Sequence, residues 1–258
     1  METLKVIKIG GNIIDNSRAL ELFLSQFAKL KGPKVLIHGG GKLATKLAGK
    51  MSVPVKMNEG RRITDIDTLD IITMVYAGKI NKNIVAKLQG NNCNAIGFSG
   101  ADGNSIVSEK RPTQPIDYGF VGDVKQVNTN TLDLLLTHNI TPVFCAITHN
   151  KNGQLLNTNA DTIASELAIG FAPTYNTELY YCFDKNGVLK DITDDNSVVE
   201  NINKNTYKSL IEDGIIADGM LPKLNNCFHA IHNEVNKVCI GKPDMLFKTN
   251  CLYTTIQK

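Results

Sequence analysis

Lysine and glycine residues cluster at the ends of apolar runs in this sequence. Lys8 lies inside the apolar run Leu4–Ile9, one residue before the pair Gly10 and Gly11, and a second cluster, Gly39–Gly41, ends the next apolar run. Glycines at strand ends let backbone N–H groups approach an anion, and a neighbouring lysine suits a phosphate contact. The pattern predicts a site for a phosphate-bearing ligand. Tight turns and an exposed edge-strand lysine are the plainer alternatives.

The glycine clusters differ from two common nucleotide-binding motifs. None reads G-x-x-x-x-G-K-[ST], and none reads G-x-G-x-x-G at the start of the first helix. The first motif is typical of P-loop nucleotidases and the second of dinucleotide-binding proteins. The sequence therefore disfavours both classes.

Four further polar residues stand at the starts of predicted helices. Lys223 lies in a first helical turn, where the helix dipole disfavours a cation. Asn157 and Asp161 precede or open another helix, where the aspartate could orient two lysines while the asparagine binds a substrate. Arg62 precedes a third helix and could bind a carboxylate through two hydrogen bonds. Each residue also fits a plainer role, as a solvated charge or a helix cap.

The apolar periodicity predicts strands that alternate with helices. The predicted strands are Leu4–Ile9, Val35–His38, Asn94–Phe98, Pro142–Ile147, Glu178–Phe183, Val235–Ile240 and Cys251–Ile256. The predicted helices are Asn16–Leu30, Lys42–Lys50, Thr64–Gln89, Thr131–His138, Ala160–Phe171 and Gly219–His232, with one or two more within 195–213. Thr64 is the expected cap of the longest helix. The alternation predicts an α/β fold with a mostly parallel sheet covered on both faces.

Composition narrows the function classes further. The 258 residues carry 28 Lys+Arg and 25 Asp+Glu, and a net charge of +3 is too small to suggest a nucleic-acid partner. No apolar run reaches the ~18–20 residues of a membrane span. The six scattered Cys predict buried, reduced thiols in a cytoplasmic protein, and no spacing predicts a resident metal site. The length fits one large domain or two lobes that meet near residue 173.

In their order and spacing, the motifs resemble those of the acetylglutamate kinase family, within the amino acid kinase superfamily. The resemblance runs from Val6 to about Gly241. Its segments are Lys8–Gly11, His38–Gly41, Gly60–Asp65, Asn157–Asp161 and Asp218–Lys223. It implies a three-layer α/β/α sandwich. In it, an N-terminal lobe, 1–173, binds an acylated glutamate and forms a homodimer, and a C-terminal lobe, 174–258, binds ATP.

The resemblance also implies a reaction, which is transfer of the γ-phosphoryl group of MgATP to the γ-carboxylate of N-acetyl-L-glutamate in arginine biosynthesis. Lys8 and Lys223 would contact ATP and the transferring phosphoryl group, and Asp161 would hold both lysines in place. Gly10 and Gly11 would contact the phosphates of ATP. Mg²⁺ would arrive with the nucleotide.

Five further residues receive roles from the same resemblance. Gly40 and Gly41 would donate backbone N–H groups on the substrate side, and Arg62 and Asn157 would bind the α-carboxylate. Asp184 matches a motif of the nucleotide lobe. A γ-carboxylate has a pKa of about 4.3 and is ionised at neutral pH, so the reaction needs no general base. Catalysis then consists of alignment and charge stabilisation.

Two alternatives stay open at this level. Arg61, beside Arg62, would suit a larger, anionic acyl group such as succinyl. A catalytically inactive, ligand-binding regulatory member of the fold is the other alternative. Because the first strand begins at about Leu4, without the N-terminal helix of arginine-inhibited relatives, we expect a homodimer that arginine does not inhibit.

Overall fold

The apolar runs of the sequence form strands, and the amphipathic stretches between them form helices. The computed structural model describes residues 1–58, 60–216 and 220–258. The strands are β1 (Thr3–Ile9), β2 (Lys34–His38), β3 (Lys56–Asn58), β4 (Arg61–Ile63), β5 (Ala95–Phe98), β6 (Ile106–Lys110), β7 (Gly122–Val127), β8 (Thr141–Phe144), β9 (Ile147–His149), β10 (Leu155–Asn157), β11 (Asn176–Cys182), β12 (Asn201–Ile202), β13 (Lys237–Gly241) and β14 (Thr254–Ile256). The helices are α1 (Gly11–Ile14), α2 (Ser17–Ala28), α3 (Gly41–Lys50), α4 (Ile66–Thr73), α5 (Asn81–Gly90), α6 (Asn130–Thr137), α7 (Ala160–Phe171), α8 (Lys204–Glu212) and α9 (Leu221–His232).

The main sheet has the strand order β12-β14-β13-β11-β1-β2-β8-β5. Neighbouring strands run parallel except β13 and β14, which are antiparallel. All residues of β2 and β8 are buried, which requires cover on both faces of the sheet. The predicted α/β sandwich with a mostly parallel central sheet is confirmed.

Smaller sheets accompany the main one. Strands β10, β9, β6 and β7 form a second sheet, and β3 pairs with β4 as an antiparallel hairpin. Isolated bridges join Thr64 to Gly119 and Val121 to Asn157, so the hairpin and the second sheet are tied together. These connections place β4 and β10 near each other.

The helix predicted over Thr64–Gln89 differs from the structure in its start and its middle. Asp65, not Thr64, is the cap, since its side chain accepts a hydrogen bond from the backbone N–H of Thr68 at 2.9 Å. The backbone of Thr64 is already paired with Tyr118 and Phe120. A π-helical segment, Met74–Ile80, separates α4 from α5, and such segments are frequent at functional sites.

Three other predictions need adjustment near the C-terminus. Within 195–213 the structure has one helix, α8, whose cap is Asn203. The last strand is limited to β14. The helix predicted from Gly219 is α9, which begins at Leu221, and the Asp218-Gly219 pair of the motif lies outside the described residues.

The division into lobes stays a prediction. Its boundary at residue 173 falls between α7 and β11. In the main sheet, β5, β8, β2 and β1 precede this boundary, whereas β11, β13, β14 and β12 follow it. Among the residues described, no helix is both long and apolar enough to cross a membrane.

Candidate active site

Three elements meet at the centre of the main sheet and carry the three predicted catalytic residues. Lys8 is the penultimate residue of β1, a strand between β11 and β2. Asp161 lies in the first turn of α7, and Lys223 lies in the first turn of α9. Asn159 is the cap of α7, because its side chain accepts hydrogen bonds from the backbone N–H groups of Asp161 and Thr162. Asn157, the other candidate cap, is therefore free for another role.

Asp161 forms ion pairs with both lysines. Its Oδ1 lies 2.7 Å from Lys8 Nζ, and its Oδ2 lies 2.7 Å from Lys223 Nζ. The three side chains are only 14–16% exposed. The partner explains why a cation is tolerated at the start of α9, where the helix dipole opposes it. The structure thus brings the three residues together, and their catalytic roles remain a prediction.

Burial and charge act in opposite directions on this cluster. Burial favours the neutral acid at Asp161, but the two ammonium groups outweigh it and keep the pKa of Asp161 well below its usual range. Burial lowers the pKa of Lys8, an effect opposed by Asp161 and reinforced by Lys223. Asp161 is therefore ionised at neutral pH. With both lysines protonated, two cations and one anion leave one net positive charge for an anionic ligand.

A cavity of about 420 Å³ adjoins this cluster. Six of the predicted site residues line it, namely Lys8, Gly40, Gly41, Arg62, Asn157 and Asp161. Sequence reasoning did not identify Tyr76, Arg111 and Asn225, which also line it. Tyr76 follows the apolar face of a helix and Arg111 stands in a loop, so neither carried a sequence signal. Arg61, considered for a larger acyl group, lines the same cavity.

Gly40 is required by its backbone conformation. Its φ is +154°, which L side chains rarely adopt, so a residue other than glycine would strain this turn. A Cβ at this position would also meet Ile80 Cδ1, the movable end of a side chain, and would lie 3.1 Å from Tyr76 Cδ1. Both neighbours belong to the π-helical segment. The segment therefore shapes this wall of the cavity.

Arg62 and Asn157 reach the cavity from β4 and β10. Arg62 donates from Nη2 to Gly41 O at 3.1 Å and to Thr45 Oγ1 at 2.8 Å. Asn157 donates from Nδ2 to Thr64 Oγ1 at 3.0 Å. These bonds hold both side chains at the wall and leave the guanidinium of Arg62 with further donors for a carboxylate.

The remaining predicted ligand contacts lie beside the cavity rather than in its wall. Gly10 already donates its N–H to Cys182 O at 3.0 Å, so that group is used by the sheet. Gly11 opens α1, whose next residue, Asn12, donates from Nδ2 to Asp184 Oδ2 at 2.9 Å. Gly10, Gly11 and Asp184 thus form a separate group of residues near the lysines.

Known proteins are similar to this chain over nearly its whole length. Acetylglutamate kinase from Cytophaga hutchinsonii is 53% identical over 247 residues, which is 95% of this chain and 94% of that protein. Acetylglutamate kinase from Parabacteroides distasonis is 50% identical and covers 93% and 94% of the two chains. The crystal structure of smu.665 from Streptococcus mutans UA159 matches with a TM-score of 0.79 at 25% identity, covering 99% and 98%.

A mostly parallel α/β sheet with glycine turns and a nearly buried lysine pair at its centre suits the binding of a phosphoryl group, as enzymes of the phosphotransferase class require. Within that class, residues 3–242 match the sequence profile of the amino acid kinase family. The chain belongs to the amino acid kinase family.

Proposed function

We propose that the protein transfers the γ-phosphoryl group of ATP to the γ-carboxylate of N-acetyl-L-glutamate, as a step of arginine biosynthesis. One structural observation carries the proposal, which is that Lys8 and Lys223 share Asp161 at a cavity that also contains Arg62. The relatives that are 50–53% identical over nearly the whole chain support the choice of substrate.

The difficulty of this reaction is repulsion between anions. A carboxylate oxygen attacks the γ-phosphorus of ATP while the bond to the leaving ADP oxygen breaks. Both partners are negatively charged, so the protein must align them and offset their charge. In this proposal, Lys8 and Lys223 stabilise the transferring group, and Asp161 keeps the two ammonium groups from separating.

The substrate end of the site would be set by other residues. Arg62 has donors left for the α-carboxylate of the substrate, and Asn157 lines the same wall. Backbone N–H groups of Gly40 and Gly41 would add further donors. Gly10, Gly11 and Asp184 would contact the nucleotide from the neighbouring group of residues.

Mg²⁺ would be held mainly by the phosphates of ATP. Both oxygens of Asp161 already engage lysines, which leaves that carboxylate little capacity for a metal. Mg²⁺ commonly keeps several waters and binds through substrate phosphates. Among the described residues, no group of three or more His, Cys, Asp or Glu could hold a metal ion. Bound this way, the ion would offset phosphate charge.

The decisive experiment measures ADP release from MgATP with N-acetyl-L-glutamate and N-succinyl-L-glutamate side by side. Glutamate and aspartate are the controls for the acyl group. Turnover restricted to acylated glutamates would support the proposal. No turnover, with ATP binding intact by calorimetry, would contradict it and favour the inactive, ligand-binding alternative.

The N-succinyl compound is a second candidate because of Arg61. This exposed residue lines the cavity next to Arg62, and Arg111 lines it as well. A guanidinium beyond the one assigned to the α-carboxylate could bind the extra carboxylate of a succinyl group. A higher kcat/KM with the N-succinyl compound would replace the N-acetyl assignment.

We also infer that two copies of the chain associate. Several large apolar side chains stay about half exposed, with Ile66 at 51% on α4 and Met74 at 49% on the π-helical segment. Edge strand β5 carries Ile96 at 41%. A second copy would cover these side chains, and light scattering would distinguish monomer from dimer.

We propose the cytoplasm as the location of the protein. Its free cysteines, most of them buried, fit a reducing compartment.

A further inference from the structure

Tyr181 is in contact with the lysine–aspartate cluster but is not part of the cavity wall. It lies on β11 and pairs in register with Lys8 on β1. Register partners on neighbouring parallel strands direct their side chains to the same face of the sheet. The side chain of Tyr181 is only 1% exposed. It therefore fills space next to Lys8, away from solvent.

Two contacts connect Tyr181 with the other members of the cluster. Its phenolic O–H donates to the main-chain O of Asp161 at 2.9 Å. Lys223 Nζ lies 5.0 Å from the centroid of its ring, a distance at which a cation is attracted by an aromatic face. One buried side chain thus contacts both partners of the Lys223–Asp161 ion pair.

Tyr181 is placed to act through its neighbours rather than on the substrate. Its O–H is already donated to Asp161, and burial raises the pKa of the phenol well above its usual range. The residue is absent from the described lining of the cavity. Its influence on the reaction must pass through Lys223 and Asp161.

We propose that Tyr181 is a positioning residue that fixes the ammonium group of Lys223 and the first turn of α7 for phosphoryl transfer. The inference rests on the proposed kinase function. The aromatic face attracts the ammonium group on one side, while Asp161 binds it from another. The phenolic hydrogen bond ties the same ring to α7. Together these contacts restrict the position of Lys223.

The neighbouring residue provides a matched control. Tyr180 lies on the same strand and is 7% exposed, but it faces the opposite side of the sheet. Its phenolic O–H donates to Glu178 Oε2 at 2.7 Å, away from the cluster. A leucine at residue 180 therefore tests loss of a buried tyrosine from β11 without touching the lysines.

The experiment compares Tyr181→Leu, Tyr181→Phe and Tyr180→Leu with the wild type by steady-state kinetics, using MgATP and N-acetyl-L-glutamate. Tyr181→Leu should lower kcat about 10-fold through loss of the aromatic face, with KM for the acylated glutamate within about twofold. Tyr181→Phe keeps the face and should recover kcat to within about threefold of wild type. Tyr180→Leu should keep the wild-type kcat. A wild-type kcat in Tyr181→Leu, or an equal loss in Tyr180→Leu, would overturn the proposal.

A second measurement separates this inference from the function itself. Limited acylation of lysines, quantified by mass spectrometry, needs no turnover. Lys223 should react about fivefold faster in Tyr181→Leu than in the wild type, measured against exposed Lys204. If the wild type turns over no acylated glutamate, the proposed function fails while the labelling still tests Tyr181. An unchanged rate for Lys223 would overturn the positioning role.

Discussion

Two groups of cationic side chains, at or beside the cavity, hold the same sign of charge in different ways. At the lysine end, defined as Lys8, Asp161 and Lys223, two ammonium groups are nearly buried and share one carboxylate. At the arginine end, defined as Arg61, Arg62 and Arg111, Arg61 is exposed and the other two are partly buried.

The partners at the two ends differ as well. Arg62 binds the neutral oxygens of Gly41 and Thr45, and Arg111 binds Asp123. Charge is more effective where water is excluded, and there it also needs a fixed partner. We therefore expect the lysine end to serve phosphoryl transfer and the arginine end to serve substrate binding.

The largest effect is expected from Asp161→Asn. Removing one partner of a buried ion pair leaves uncompensated cations, so unfolding free energy should fall by about 3–5 kcal/mol. With both lysines released, kcat should fall more than ~10²-fold. Urea unfolding and ADP release measure the two effects.

The control for Asp161→Asn is Asp123→Asn at the arginine end. The Arg111–Asp123 pair is 24% and 40% exposed, so its loss should cost only about 0–1 kcal/mol. Equal losses of unfolding free energy at the two positions would contradict the contrast between the lysine end and the arginine end.

The low pKa of Asp161 adds a test by pH. The contribution of its ionised form is present above the unfolded pKa of ~3.9 and is lost as pH falls through the lower folded value. The difference between wild type and Asp161→Asn should therefore shrink in acid.

Lys8→Ala comes next in size. The variant removes one cation from the transferring phosphoryl group, so kcat should fall at least ~10²-fold, the scale for loss of one such donor. KM for the acylated glutamate should change little, because Lys8 serves the phosphoryl group. Lys223→Ala should behave in the same way. Unchanged turnover in a folded Lys8→Ala protein would show that this lysine has no catalytic role.

Arg62→Ala should affect binding rather than rate. A charge-assisted hydrogen bond is worth about 1.5–3 kcal/mol, which corresponds to a rise in KM for the acylated glutamate of about 10–150-fold. The kcat should stay within a few-fold of wild type, as measured by saturation kinetics. Arg62→Lys keeps the charge and loses the planar fork, so its KM should lie between the two. A loss confined to kcat would place Arg62 with the lysine end.

Arg61→Leu should have the smallest effect. Arg61 is exposed, and exposed charges contribute little, so kcat/KM with N-acetyl-L-glutamate should change less than about threefold. With N-succinyl-L-glutamate the same variant should lose more, if Arg61 binds the second carboxylate. Equal or better activity on the N-acetyl compound in both proteins, with no preference for the succinyl compound, would remove Arg61 from the site.

Most strands of the main sheet could be predicted from local patterns of apolar residues in the sequence. The apolar runs that became β1, β2, β8, β11 and β13 were recognisable because strands buried on both faces need continuous apolar sequence. Helix ends were less predictable. Thr64 resembles a cap, but its backbone is paired with Tyr118 and Phe120, so Asp65 took that role. Neither the π-helical segment nor its packing against Gly40 has a signature in the sequence.

The residues of the candidate site were easier to predict than their arrangement in space. The resemblance to a known family assigned roles to Lys8, Asp161 and Lys223, and the structure shows them joined at 2.7 Å. Tyr181 had no such signal, because an aromatic residue in a buried strand usually serves packing alone. Its contact with Lys223 exists only because α9 begins close to β11.

Local sequence patterns are enough to predict the alternation of strands and helices, the glycine turns and the residue types that can bind phosphate. These features follow from periodicity and backbone freedom, which act over a few residues. Only the three-dimensional fold shows that Lys8, Asp161 and Lys223 form one charge cluster and that Tyr181 contacts it. Such contacts depend on the order of strands in the sheet, which joins segments more than 60 residues apart in the chain. A buried ion pair is stable only when the order of strands places its two charged partners next to each other.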